Sequence, residues 1–232
     1  MKTGFVLRKV VQTGFVLRRM KMKGIMGLIT PLLLHMIISE VTVLLAGQYL
    51  DAACCASLAA VLVLPIAFWM QKKQKEEVSA ADGHLLTGRQ FVIAAGLCFV
   101  GGGILNLLWS GVMNLFQITE KFSNTAQEQL LGSQILIQIV GLGVLVPLAE
   151  EIIFRGLIYR RMRNWFPAFL AVTLSALLFA VYHGNPVQMI YAFPMAIILA
   201  LLLEKGKSMM LPVLFHMGAN LTAVILNLFG MQ

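Results

Sequence analysis

Glu150 and Glu151 stand side by side, with Arg155 four residues further on, in Ala149-Glu150-Glu151-Ile152-Ile153-Phe154-Arg155. The surrounding sequence is almost wholly apolar. A charge at the centre of a bilayer costs roughly 2.5–3.5 kcal/mol on insertion scales, so an ionisable group kept in such a segment marks a functional site by default. Three later polar residues can join the pair: His183, His216 and Asn220. His216 and Asn220 are spaced i, i+4 and share one helix face. A carboxylate beside an imidazole can hold a water between them. Glu150 is then the candidate general base, with His183 fixing the water. His216 and Asn220 can donate hydrogen bonds to a developing oxyanion. These parts suffice for amide hydrolysis by a directly activated water. The sequence has no serine in a GxSxG setting, no cysteine beside a histidine and no HExxH.

Each of these residues also has a structural reading. Glu151 and Arg155, at i, i+4, can form a salt bridge that holds one helix, and that is the favoured role for them. Glu150 can be a protonated packing residue, and His183 a histidine at a helix end. His216 and Asn220 can be hydrogen-bonding glue between helices. His35 and Glu40 read as packing or interface groups, and the methionines as core filler. Cys54, Cys55 and Cys98 lie in apolar stretches without a CxxC pair. They read as small buried hydrophobes, neither a disulfide framework nor a metal site.

The elements that must position these groups follow from composition. The chain has 232 residues, 59% of them hydrophobic and only 12% charged, with a mean hydropathy of +0.85. Apolar stretches of about 20 residues recur, each long enough to span a bilayer as a helix. The pattern lacks the alternation of a transmembrane barrel. The expected fold is an all-α polytopic transmembrane bundle of about seven spans, within a range of six to eight. Expected helices cover about 25–49, 53–70, 91–116, 133–163, 168–183, 187–203 and 209–229. A polar loop is expected over 71–89, and 117–131 can form a short interfacial helix. Gly101-Gly102-Gly103 permits close helix approach or a kink. Asn164-Trp165-Phe166-Pro167 and Gly184-Asn185-Pro186 read as breaks.

The net charge of +8 would suggest nucleic acid as a partner in a soluble protein. Here lysine and arginine orient the helices instead, and no aromatic-rich basic patch or phosphate-cradling glycine loop is present. The expected partners are the lipid bilayer and a peptide or lipidated-protein substrate. Residues 1–23 read as a basic cytoplasmic tail in which Thr3-Gly4-Phe5-Val6-Leu7-Arg8 returns as Thr13-Gly14-Phe15-Val16-Leu17-Arg18. Met20 and Met22 offer alternative starts. A signal peptide is not expected, because the next apolar run is too long and no small-residue cleavage site follows. With seven spans, the tail, the 71–89 loop, the Arg160/Arg161/Arg163 turn and the Lys205/Lys207 turn are all cytoplasmic. The 117–131 and 184–186 connections, poor in basic residues, are then outside, and so is the C-terminus.

Depth brings the polar groups together. Glu150 precedes the Trp165 turn by about fourteen residues and His183 follows Pro167 by about sixteen, which puts both roughly 20–25 Å from that turn. His216 and Asn220 reach a comparable depth from the Glu204–Ser208 turn. The four groups can therefore converge in one half of the membrane.

Three short motifs now acquire a context. Glu150-Glu151-Ile152-Ile153-Phe154-Arg155 resembles the EExxxR motif of the CAAX-protease and bacteriocin-processing family of intramembrane endopeptidases. Phe179-Ala180-Val181-Tyr182-His183 resembles its FxxxH motif, and His216-Met217-Gly218-Ala219-Asn220 its HxxxN motif. All three come in the family's order, and the resemblance covers about residues 133–227. It implies a membrane endopeptidase whose core lies in 131–232, behind N-terminal transmembrane helices over 24–130 that carry no family motif. By position, the resemblance has Glu150 activate water with His183, and His216 with Asn220 form the oxyanion site. Glu151, Arg155 and Phe179 are supporting. The family has been labelled a metalloprotease, and Glu150, His183 and His216 make a plausible zinc set. The metal-free reading is favoured because Asn220 suits oxyanion binding better than zinc ligation. The implied location is a cell membrane, expected to be a bacterial plasma membrane. Prenylated CAAX substrates are presented from the cytosol, whereas the seven-span count places the Glu150/His183 end outside. Some family members are associated with bacteriocin maturation or self-immunity, so a non-catalytic immunity or scaffold protein of the same fold is the alternative. A small transporter with Glu150 and Glu151 as a proton relay is the rival of another class, but no inverted repeat is recognisable.

Overall fold

The computed structural model describes residues 22–77, 87–118 and 125–230. The repeat-bearing part of the basic tail (1–21), the 78–86 part of the polar loop and residues 119–124 lie outside the described residues. The described residues form eight helices: α1 Met22–Ala46, α2 Ala52–Glu77, α3 Gly88–Leu115 and α4 Thr125–Leu131, then α5 Ile135–Trp165, α6 Ala168–Tyr182, α7 Pro186–Gly206 and α8 Met210–Leu228. There is no strand among the described residues.

Among the described residues, six helices are long and apolar enough to cross a membrane: α1, α2, α3, α5, α7 and α8. The fifth expected span, α6, has 15 residues, a rise of about 22 Å against a hydrocarbon core of about 30 Å. The bundle buries its small residues and polar site and leaves large apolar side chains outside. Leu44, Leu97, Leu115 and Phe169 are 69–81% exposed, an arrangement that suits lipid and not water. The protein is a multi-pass membrane protein.

The ends of the helices agree with local chemistry. Asn185 caps α7 by accepting from the backbone amides of Val187 (2.9 Å) and Gln188 (3.3 Å), and Pro186 occupies the first turn, where its missing amide costs nothing. One end differs from expectation. The sequence predicts a loop from Gln71, but α2 runs on to Glu77. Gln74 explains the extension: it is buried, its Nε2 donates to the Leu157 carbonyl at 3.0 Å, and its Oε1 accepts from Arg161 at 3.0 Å. Gln, Lys and Glu are also good helix formers, which hydropathy alone does not register.

The centre of the molecule is α5. Every residue from Ala149 to Tyr159 is buried, under Phe179 from α6 and Ala196 and Ala200 from α7. α5 is not a uniform α-helix. It widens into π-helical turns over Gln138–Leu145 and again over Ile152–Tyr159, with an α-helical piece, Val146–Glu151, between them. Near the basic end, Arg163 holds Glu204 with contacts of 2.9–3.1 Å, and the Tyr159 hydroxyl donates to the same carboxylate at 2.6 Å, fastening α5 to α7. α3 lies against α8 with backbones in direct approach. A Cβ on Gly102 would strike the Phe215 carbonyl oxygen, and one on Gly218 would strike the Phe99 carbonyl oxygen. Gly102 therefore serves the close approach anticipated for the glycine triplet.

Candidate active site

The α-helical piece between the two π-turns carries the acidic pair. Glu150 and Glu151 are adjacent, so they point to different sides of α5 and acquire different surroundings. Glu151 is fully buried at 0% exposure. Its Oε1 accepts from Arg155 Nη1 at 3.0 Å and from His216 Nδ1 at 2.9 Å. The i, i+4 ion pair anticipated from sequence is present, but the carboxylate also ties α5 to α8. Arg155 is itself buried. It donates to the Ala196 carbonyl of α7 at 3.3 Å, and its guanidinium lies 4.4 Å from the centre of the Phe179 ring. A buried guanidinium needs this set of partners, because desolvation otherwise outweighs one ion pair.

Glu150 faces a cavity of about 590 Å³, a volume within the roughly 300–1,000 Å³ typical of small-ligand pockets. His183, His216, Asn220 and Phe179 line the same cavity. His216 Nε2 lies 3.7 Å from Glu150 Oε2, beyond hydrogen-bond length but close enough for charge interaction. His216 thus sits between the two glutamates, with one ring nitrogen on each. His183 closes the end of α6, and its Nδ1 lies 2.8 Å from the Phe179 carbonyl oxygen. A carbonyl only accepts, so Nδ1 carries the proton, and in the neutral ring Nε2 keeps its lone pair. Asn220 Nδ2 donates to the Leu142 carbonyl at 2.9 Å, one of the carbonyls in the first π-turn. The second hydrogen of that amide is left for another acceptor. The cavity therefore gathers a carboxylate, an imidazole with fixed tautomer, a second imidazole oriented by a carboxylate, and an anchored amide.

The zinc set named above is not drawn together as three ligands. Among the described residues, no three His, Cys, Asp or Glu side chains are grouped closely enough to hold a metal ion.

Two contributions escape the sequence reading. Tyr182 lines the cavity and is hydrogen-bonded through its hydroxyl to His35 Nδ1 at 2.9 Å, with the two rings stacked 5.4 Å apart. His35, set aside as a packing group, thereby brings α1 to the rim of the site. The only signal for this was Tyr182 standing next to His183. The second is the link from His216 to Glu151, which joins residues 65 apart in sequence and has no local signature.

Residues 132–222 match the family model for type II CAAX prenyl endopeptidase Rce1-like proteins. The matched segment contains all three motifs, from Glu150 to Asn220. No curated protein and no solved structure matches the chain.

Proposed function

We propose that this chain is an intramembrane endopeptidase that hydrolyses a peptide bond of a membrane-associated substrate, CAAX-type prenylated or bacteriocin-like, with a water activated by Glu150; the match of residues 132–222 to the Rce1-like family model supports this reading. The observation that supports this reading is the convergence of Glu150, His183, His216 and Asn220 on one cavity. The water lies between Glu150 and His183, where His183 Nε2 accepts one of its hydrogens. Glu150 takes the other as the water oxygen bonds to the scissile carbonyl carbon. The carbonyl oxygen becomes an oxyanion. His216, when it carries a proton on each ring nitrogen, donates from Nε2, and Asn220 donates with its second amide hydrogen. The carbon–nitrogen bond then breaks, and Glu150 returns its proton to the leaving amine. Glu151 and Arg155 are positioning residues: they hold His216 and α5 in place. No step requires a metal.

Lys72, Lys73, Arg89, Arg160, Arg161, Arg163, Lys205 and Lys207 all fall at one end of the bundle by helix direction. The cavity is lined instead from the other end, by residues of α4, the last turn of α6 and the first turns of α7. By the distribution of positive charge, the basic end is cytoplasmic and the cavity faces the opposite side of the membrane. A bacteriocin-like or other exported substrate fits this orientation better than one delivered from the cytosol.

The test is cleavage of two membrane-tethered peptides, one with an S-farnesyl cysteine and one without, by the full chain reconstituted in liposomes. Glu150→Ala and His183→Ala are each expected to abolish cleavage while the protein still inserts. Cleavage retained in either variant would sink the proposal.

A further inference from the structure

The part of the cavity wall contributed by α3 has no role in the chemistry above. Asn106 is 6% exposed and lines the cavity. Its Nδ2 donates to the Tyr191 hydroxyl of α7 at 3.1 Å, which fixes the amide, while its Oδ1 is buried with no hydrogen-bond partner. Trp109 lines the same cavity, and its Nε1 is also buried and unpartnered. The two residues are spaced i, i+3, so they are neighbours on one face of α3. An unpaired buried polar atom costs about 1–3 kcal/mol, and here one acceptor and one donor belong to two residues that line the candidate active site. In an extended peptide the N–H and C=O of one residue point to the same edge and need one acceptor and one donor.

We propose that Asn106 Oδ1 and Trp109 Nε1 form a subsite that binds one residue of the substrate backbone, accepting its N–H and donating to its C=O. α3 then aligns an extended peptide along the cavity that Glu150 also lines, so that its scissile carbonyl reaches that carboxylate. The inference rests on the endopeptidase reading, and it predicts recognition of main chain over side chain at this position. It also gives a function to α3, which lies outside the family match.

The experiment uses the full chain in lipid nanodiscs with Glu150→Gln, so that bound peptide is not cleaved. The probe is a fluorescein-labelled peptide with an S-farnesyl cysteine four residues from its C-terminus, together with an unprenylated peptide of the same sequence. Binding is read by anisotropy. Trp109→Phe, which removes one N–H and little volume, and Asn106→Leu are each expected to weaken binding about tenfold, with the thermal unfolding of Trp109→Phe unchanged. Replacing one backbone amide by an ester removes its N–H. At one position this should weaken binding to the parent chain about tenfold and leave binding to Asn106→Leu unaffected. Parent-like binding by Trp109→Phe, or ester effects that are the same on parent and Asn106→Leu at every position, would overturn the subsite and leave the endopeptidase reading standing. Asn106-dependent binding of the unprenylated peptide alone would support the subsite and dismiss prenylated substrates. If neither peptide binds the parent chain, the subsite is overturned together with the substrate classes it was built for.

Discussion

Glu150 and Glu151 show how far a residue's role can be read from its neighbours in sequence. The pairing of Glu151 with Arg155 follows from i, i+4 spacing and is present at 3.0 Å. The tautomer of His183 is legible in the same way, since its partner is the carbonyl of Phe179, four residues earlier. The bond from Glu151 to His216 was not legible, because only tertiary packing brings α5 and α8 together. Glu151 is thus a junction for two cations or hydrogen-bond donors, and its loss should be felt widely. Glu151→Ala leaves Arg155 buried without its carboxylate. It is expected to destabilise the protein by about 3–5 kcal/mol, measured by unfolding in detergent, and to lower cleavage as His216 loses its orienting bond. An unchanged unfolding midpoint would refute the junction. Arg155→Lys keeps a charge but lacks the planar group that stacks on Phe179 and the fork that also reaches Ala196. Its cleavage should fall well below that of the parent although the charge is conserved.

At the scale of elements, the spans were legible because lipid-facing helices declare themselves by length and hydropathy. The end of α2 was not. Its last two turns are polar and helical because Gln74 reaches a carbonyl in a π-turn of α5, and neither the π-turn nor the contact has a sequence signal. The two π-turns share a property: Leu142 and Leu157 each give a carbonyl to a side chain from another helix, Asn220 and Gln74 respectively. Widened turns expose carbonyls that a regular helix would consume, and such turns recur at functional sites. Gln74→Leu retains helix propensity and removes two hydrogen bonds, to the Leu157 carbonyl and from Arg161, so it should cost about 1–3 kcal/mol in detergent unfolding and little in cleavage. Gly102→Leu is a sharper test of the α3–α8 contact. Its side chain meets the Phe215 carbonyl next to His216, so both stability and cleavage should fall. Wild-type cleavage in that variant would show that α3 does not fix the position of His216.

At the scale of the whole molecule, the convergence of four distant polar residues was anticipated by helix depth, and the structure places them around one cavity. The size of that cavity and the share of it built by α3 were not anticipated, because no motif marks Asn106 or Trp109. Orientation belongs to this scale as well. Cysteine-accessibility labelling should find positions near Arg160 and Lys207 open to reagent from the cytoplasmic side and positions near Gln127 and Asn185 open from the other, and the reverse pattern would turn the cavity to the cytosol. Dialysis against a strong zinc chelator should leave cleavage unchanged, whereas loss of activity restored by added zinc would replace the water-activating carboxylate with a metal. The claim that carries the rest is that Glu150 takes the proton from the attacking water. Its most direct measurement is kcat and KM of the reconstituted Glu150→Gln chain, which keeps shape and hydrogen bonding but cannot act as a base. The account predicts a fall in kcat of at least about 10²–10⁴-fold with KM little changed, and a kcat near that of the parent chain would contradict it.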